Sequence, residues 1–157
     1  MASTVTSPKT VLVPTDFEDC SRAALDYART LAAACDSTIH LLHVVTEPLR
    51  EPWIPYLPGG AFLDLLESMQ RDALRRLRLI APLAADAARP MVLVTVWGDP
   101  AEEIVKYAHA HQADLIVCGT HGRRGLERLA MGSVAERLVR VAPCPVLTVH
   151  ADQSRAA

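Results

Sequence analysis

The chain has 157 residues, of which half are hydrophobic and 22% are charged, and this composition excludes a disordered or low-complexity protein. Its length predicts a single domain that folds without a disulfide or a metal; we place it at residues 9–150, between flexible ends at 1–8 and 151–157. The 16 basic and 18 acidic residues leave a net charge of −2, which provides no general attraction to nucleic acid or anionic lipid.

Targeting and metal signals are missing from the sequence. No apolar run reaches the roughly 20 residues that a membrane-spanning helix needs. The N-terminus lacks the basic and apolar regions of a secretory signal, so we expect a cytoplasmic protein with no membrane or nucleic-acid partner. The cysteines form no CxxC pair and the histidines have no ligand spacing, so we expect free thiols and no metal site. The cysteines are Cys20, Cys35, Cys118 and Cys144.

Five short apolar runs, rich in β-branched residues, predict strands that are covered on both faces, as in a parallel sheet. In chain order they are residues 10–14, 38–45, 91–97, 114–118 and 145–149. His40 and His43, three apart in the second run, are expected to face opposite sides of the sheet. The proline-rich stretch 47–60 is interpreted as a loop.

Amphipathic helices are predicted between the runs. Residues 21–34 and 62–84 place apolar side chains at steps of three and four. The segment Asp99-Pro-Ala-Glu102 predicts a third helix, with an acidic N-cap, a proline at the first helical position and a reciprocal glutamate. Ser133-Val-Ala-Glu136 predicts a fourth, again with a capping box, which ends before Pro143.

The resulting β-α-β-α-β-α-β-α-β order predicts an α/β fold. We expect one doubly wound, five-stranded parallel sheet with helices on both faces, similar to the Rossmann fold. Ligands of such sheets bind beyond the carboxyl ends of the strands. Here the first strand ends at Pro14-Thr15-Asp16 and the second ends near Val44.

A glycine pattern follows the fourth strand: Gly119-x-x-Gly122, nine residues, then Gly132-Ser133. Glycines let a backbone approach an anion, and a helix N-terminus offers unpaired amide groups to phosphate. The sequence lacks both GxxxxGK[ST] and a GxGxxG after the first strand. Two interpretations stay open at this point, a phosphate site and ordinary turns with Ser133 as a helix cap.

Four arginines cluster on the second predicted helix, at positions 71, 75, 76 and 78. Because the acidic residues Asp64, Glu67 and Asp72 interleave with them, we interpret the cluster as a salt-bridged helix surface rather than an RNA site.

Taken together, these motifs resemble the universal stress protein family over roughly residues 9–150. The G-x2-G-x9-G-[ST] spacing is similar to that of the ATP-binding branch of the family. The other matching segments are Val11-Leu-Val-Pro-Thr-Asp-Phe17, Leu41-Leu-His-Val44, Gly98-Asp-Pro100, Ala113-Asp-Leu-Ile-Val117 and Pro143-Cys-Pro-Val-Leu147.

The resemblance implies a role for each matching position. Asp16 and the backbone at Val44 would hold adenine and ribose, on a floor shaped by Pro14 and Thr15. Gly119 and Gly122 would contact the ribose and the α- and β-phosphates. The outer phosphates would be bound by Gly132, Ser133, Val134 and Ala135.

Three further positions bear on this assignment of phosphate contacts. The family often has Ser or Thr where this chain has Ala135, so one hydroxyl donor is missing. His121 and Arg123 are further candidates for phosphate contact, with a solvent-exposed turn as the alternative for each.

The leading functional hypothesis is a regulatory or stress-response protein that binds ATP, with Mg²⁺ on the phosphates, and hydrolyses it slowly at most. Bound ATP would order residues 119–133 and change the surface offered to partners. The main alternative is an interaction module that needs no nucleotide. It would form a homodimer through the last strand, Val146–His150, because an exposed sheet edge favours pairing. An adenylyl-transfer enzyme on a similar sheet is a third interpretation.

Overall fold

The structure is a computed structural model that describes residues 7–46, 48, 56–81, 91–120 and 131–150. Five parallel strands form one sheet in the order β3-β2-β1-β4-β5, with four helices between them in the chain. The elements are β1 Thr10–Pro14, α1 Asp19–Cys35, β2 Thr38–Val45, α2 Ala61–Ile80, β3 Val92–Trp97, α3 Pro100–Ala110, β4 Leu115–Gly119, α4 Ser133–Val141 and β5 Val146–Val149. The predicted doubly wound α/β fold is confirmed.

The central strand β1 divides the core into two layers, because alternate side chains of a strand point to opposite faces. Val11 and Val13 pack with α1 and with Leu77 of α2 in one buried cluster. Leu12 packs with Ile104 of α3 and with residues of α4 in the other. The chain therefore winds outward from β1 in both directions, and the strand order reverses between β1 and β4.

The two histidines of β2 lie on opposite faces, as predicted. His40 Nδ1 is 2.9 Å from the Tyr107 hydroxyl of α3. The His43 ring lies 4.4 Å from the ring of Phe17, which belongs to the cluster on the α1 and α2 side. Burial and the nearby His111 lower the pKa of His40.

Helix ends agree with the sequence in part. The Asp99 carboxylate accepts a hydrogen bond from Glu102 N at 3.1 Å, and Pro100 is the first residue of α3, so this predicted N-cap is confirmed. The reciprocal role of Glu102 is wrong, because its carboxylate binds the Arg137 guanidinium of α4 at 2.9 Å instead.

Two predicted helix ends are corrected. Helix α2 ends at Ile80 rather than at 84, because Ala81 precedes Pro82 and adopts an extended conformation that a following proline favours. Ser133 is not the N-cap of α4. Gly132 occupies that position, without a side-chain cap, and Ser133 is the first helical residue.

Several sequence-based expectations fall wholly or largely outside the described residues. These include the flexible ends, of which only 7 and 8 are described, and most of the loop at 47–60. In the described ranges, no helix combines the length and apolar character needed to cross a bilayer. Nor does any group of three or more His, Cys, Asp or Glu in those ranges come together as a metal site would require.

Candidate functional site

A cleft of about 720 Å³ opens at the carboxyl ends of β1, β2 and β4, where the strand order reverses. This volume lies within the range of small-molecule sites, roughly 300–1,000 Å³. Nine of the site residues predicted from the sequence line it, namely Pro14, Thr15, Asp16, Val44, Gly119, Gly132, Ser133, Val134 and Ala135. His121, Gly122 and Arg123 lie outside the described residues.

The turn after β1 is organised by Thr15. Its amide extends the sheet by donating to Leu42 O at 2.8 Å. Its hydroxyl oxygen accepts from Phe17 N at 3.0 Å and lies 3.0 Å from the Ser21 hydroxyl. The adjacent Asp16 carboxylate accepts from Glu18 N at 3.1 Å, which fixes its position on the rim of the cleft.

Phe17 completes this turn in a conformation that the sequence does not signal. Its φ is 71°, in the left-handed region where a bulky side chain is strained. The ring is buried, and its carbonyl accepts from Arg22 Nε at 3.1 Å. The turn therefore holds an aromatic side chain where glycine or asparagine would be expected.

The turn after β4 is joined directly to the start of α4. Gly132 N donates to Thr120 O at 2.5 Å, so the two glycine-containing turns meet at the cleft. Thr120 N donates to Val149 O at 3.0 Å, and the Thr120 hydroxyl lies 2.9 Å from His150 Nδ1. The residues on either side of segment 121–130 thus form one connected rim.

The start of α4 presents backbone amides to the cleft. Ser133, Val134 and Ala135 form its first turn, and the first N–H groups of a helix have no intrahelical acceptor. These groups and the helix dipole favour an anion at this position. Arg137, one turn further along, binds both Asp99 at 3.1 Å and Glu102 at 2.9 Å, which ties α4 to the start of α3.

The opposite wall belongs to α2. Met69, Ala73 and Arg76 follow helical spacing and all line the cleft. The predicted salt-bridged surface is correct for Arg75, which binds Asp72 at 2.6 Å and by this hydrogen bond lowers the pKa of that carboxyl. Arg76 also lowers the pKa of Asp72 by its charge, but its guanidinium carbon lies 4.0 Å from the centre of the Phe17 ring, a contact that the sequence does not predict.

The cysteine at the end of β4 is buried in its protonated form. Cys118 lines the cleft but only 4% of its surface is exposed, and burial raises the pKa of its thiol to about 11. A thiol with such a pKa is protonated at neutral pH, and the thiolate is the reactive form.

Comparison with known proteins agrees with this fold. A sequence model described as the "Universal stress protein family" matches residues 8–150. Universal stress protein MJ0531 of Methanocaldococcus jannaschii is 34% identical over 141 residues, which cover 90% of this chain and 81% of that protein.

Two solved structures are similar over nearly their whole length. The protein MJ0577, also from Methanocaldococcus jannaschii, superposes with a TM-score of 0.79 and 28% identity, covering 95% of this chain and 99% of that one. A universal stress protein in complex with cAMP superposes with a TM-score of 0.59 and 26% identity, covering 93% of this chain and 99% of that one. The chain therefore belongs to the universal stress protein family.

Proposed function

We propose that this chain is an ATP-binding universal stress protein, which acts in the cytoplasm as a nucleotide-dependent regulatory or stress-response protein. The ligand-binding unit would be residues 9–150. The observation that carries the proposal is the hydrogen bond from Gly132 N to Thr120 O, because it brings the turn after β4 and the first turn of α4 together at the cleft. Phosphate groups suit the amide groups of such a rim.

The nucleoside would lie at the other end of the cleft. Asp16 is held on the rim by Glu18 N and presents carboxylate oxygens that can accept from ribose hydroxyls. Val44, next to the last residue of β2, lies at the same edge, and its backbone would contact the base. Gly119 and Gly122 would contact the ribose and the inner phosphates. His121 and Arg123 are further candidates for contact with phosphate.

The structural neighbour solved with cAMP supports an adenine nucleotide as the ligand class. The choice of ATP, with Mg²⁺ on its phosphates, depends on the complete G-x2-G-x9-G-S spacing of the sequence. Ala135 offers only its backbone amide where a hydroxyl donor would strengthen contact with the outer phosphates. We therefore expect only a modest preference for ATP over ADP.

The carboxylates of the cleft favour a nucleotide-binding role over efficient hydrolysis of ATP. Phosphoryl transfer needs a group that positions the attacking water, together with metal ligands. Among the described residues that line the cleft, the carboxylates are Asp16 and Asp72. The first accepts from a backbone amide and the second binds Arg75, so each already has a structural partner.

The decisive experiment identifies the ligand and then locates it. Denaturing the purified protein and weighing the released small molecule should give an adenine nucleotide. Titration calorimetry with ATP should show binding that Asp16→Ala weakens about tenfold, since hydrogen bonds to a charged group contribute roughly 1.5–3 kcal/mol. Asp64→Ala is the control, because Asp64 is exposed in the first turn of α2 and does not line the cleft.

The same experiments distinguish the nucleotide-free interaction module. That alternative predicts no released nucleotide and no thermal stabilisation by ATP and Mg²⁺, whereas a ligand of the native state raises the melting temperature. Equal ATP affinity in wild type and Asp16→Ala would contradict the assignment of the nucleoside end.

Our proposal includes a homodimer that pairs through Val146–His150. Strand β5 has one neighbour in the described sheet, β4, and its four residues are half-buried. The carbonyls of Pro145 and Val149 accept hydrogen bonds from Ile116 and Thr120 on the β4 side. Because backbone groups alternate along a strand, Thr148 N–H points to the open edge.

Thr148→Pro should therefore disrupt the dimer and leave the bonds to β4 in place, because proline removes only the outward donor. Light scattering after gel filtration should give a dimer for wild type and for the control Thr148→Val, and a monomer for Thr148→Pro. A wild-type monomer at micromolar concentration would contradict this part of the proposal.

A further inference from the structure

Arg76 of α2 is the feature of the cleft that the proposed function leaves without a role. We infer that the guanidinium of Arg76 contacts the purine base of the nucleotide, which makes Arg76 a base-binding residue of the site. The inference rests on the proposed function, because it assigns a residue within the same cleft.

Arg76 lies on a different wall from the end of the cleft that we propose for phosphate. It lies on the α2 wall, whereas the amides that favour an anion belong to the first turn of α4. Its guanidinium carbon is 4.0 Å from the centre of the Phe17 ring, and Phe17 directly follows Asp16. The cation therefore stands beside the turn that we assign to the nucleoside.

The neighbours of Arg76 on this wall suit a flat, largely apolar ligand group. Met69 and Ala73 precede it on the same helical stripe, and Val44 lies near the end of β2 in the same cleft. Asp72 also lines this wall, where its carboxylate binds Arg75. A guanidinium is planar, stacks on aromatic faces and carries five N–H donors. Purines offer both an aromatic face and ring-nitrogen acceptors, and protein sites recognise bases by stacking them on arginine planes.

Phe17 fixes the position of the arginine. The ring is held by a backbone at φ 71°, a strained conformation that the hydrogen bonds to Thr15 and Arg22 stabilise. It also contacts the His43 ring, whose Nδ1 is 2.7 Å from Thr15 O. Strain of this kind persists only where several contacts enforce it, and it is typical of ligand sites. Phe17 is therefore a positioning residue for Arg76.

The test compares ligands with and without phosphate. Calorimetry is carried out with adenosine, ATP and inorganic tripolyphosphate on wild type, Arg76→Met and Arg76→Lys. The matched control is Arg78→Met, which removes an exposed arginine from the last turn of the same helix, away from the cleft.

Contact with the base predicts that Arg76→Met weakens adenosine and ATP by the same factor, about tenfold, as expected for a hydrogen bond from a charged group. Tripolyphosphate binding should be unchanged. Arg76→Lys should not restore affinity, because lysine keeps the charge but lacks the planar donor group. Arg78→Met should bind all three ligands as wild type does.

Three results would overturn the inference. Weaker binding of ATP with unchanged binding of adenosine would place Arg76 at the phosphates. Full rescue by lysine would reduce its role to general attraction, and wild-type affinity in Arg76→Met would remove the role altogether. A wild type that binds neither adenosine nor ATP would instead refute the proposed function, and the inference with it.

A double-mutant cycle tests the role of Phe17. Phe17→Leu keeps an apolar side chain but removes the ring beneath the guanidinium, so it should weaken adenosine binding less than Arg76→Met does. In the Phe17→Leu background, Arg76→Met should have a smaller effect than in wild type, because the arginine has already lost its support. Equal effects in both backgrounds would contradict a positioning role, and melting curves of each variant verify that the fold is retained.

Discussion

Gly119 and Gly132 stand at the two ends of one spacing pattern, but the structure gives them different surroundings. A Cβ on Gly119 would lie 2.7 Å from the Cys20 carbonyl carbon and 2.8 Å from its Cβ, because α1 packs closely on the end of β4. Gly132 has φ −61° and ψ 149°, which any residue can adopt. The first glycine is required by packing, whereas the second is available to serve a ligand.

The largest expected effect comes from Gly119→Ala. The new methyl group would meet the backbone of α1 below van der Waals distance, so the helix or the strand must shift. We expect the free energy of unfolding to fall by about 3 kcal/mol, the upper part of the usual range for overpacking. Urea denaturation followed by circular dichroism measures this change.

Gly59→Ala is the matched control for that substitution, because a Cβ there would have no atom within 4 Å. Its stability should stay within about 0.5 kcal/mol of wild type. Equal stability of Gly119→Ala and Gly59→Ala would contradict the close packing of α1 on Gly119.

Gly132→Val tests the other half of the comparison. The extended backbone at Gly132 accepts valine, so the melting temperature should change little. The added side chain would occupy the space proposed for phosphate, and we expect ATP affinity to fall at least about 100-fold, equivalent to roughly 2.7 kcal/mol. Calorimetry should give Gly132→Ala an ATP affinity between those of wild type and Gly132→Val. Wild-type affinity in Gly132→Val would refute the proposed position of the phosphates.

The pH dependence of stability tests how tightly the end of β4 is packed. Burial raises the pKa of Cys118 to about 11 in the folded chain, whereas an unfolded thiol ionises near 8.5. The folded state therefore binds more protons at alkaline pH, and unfolding becomes easier as the pH rises from about 9 through 11.

The loss of stability is at most about 3 kcal/mol, the free-energy equivalent of the difference between a pKa of 8.5 and one of about 11. The Cys118→Ala variant should lack this part of the pH dependence. In the folded protein at pH 8, a thiol reagent should modify Cys118 only as fast as the chain unfolds. Rapid modification under these conditions would mean that the end of β4 is open to solvent.

The smallest expected effect concerns Ser133→Ala. Because Gly132 is the N-cap, the serine side chain does not cap α4, and its loss should change stability by less than about 0.5 kcal/mol. A typical N-cap serine would cost about 1 kcal/mol on the same substitution. Thermal denaturation distinguishes the two values, and the larger one would restore the predicted capping box.

The sequence predicted the nine helices and strands found among the described residues, because hydrophobic periodicity is a local property that each segment carries by itself. Asp99 was identified as an N-cap for the same reason, since its acceptor function involves residues three positions apart. The strand order, with β1 central, comes from the structure, because right-handed crossovers are compatible with several orders of a parallel sheet.

What the sequence could not provide depends on contacts between distant segments. Phe17, in its left-handed conformation, packs against His43 of β2 and beneath Arg76 of α2, and a phenylalanine gives no local sign of this arrangement. Arg76 has the same sequence environment as Arg75, yet only the tertiary structure places one over an aromatic ring and leaves the other on the surface. Periodicity identifies a helix face but not what that face meets.

Thr120 has a consequence for communication within the molecule. Its carbonyl accepts from the cap of α4, while its amide and hydroxyl contact the last residues of the outer strand at Val149 and His150. A single residue thus lies both at the mouth of the cleft and at the edge of the sheet. Because couplings between binding events are reciprocal, any effect of nucleotide at the cleft on pairing through β5 must be matched by an equal effect of that pairing on nucleotide affinity.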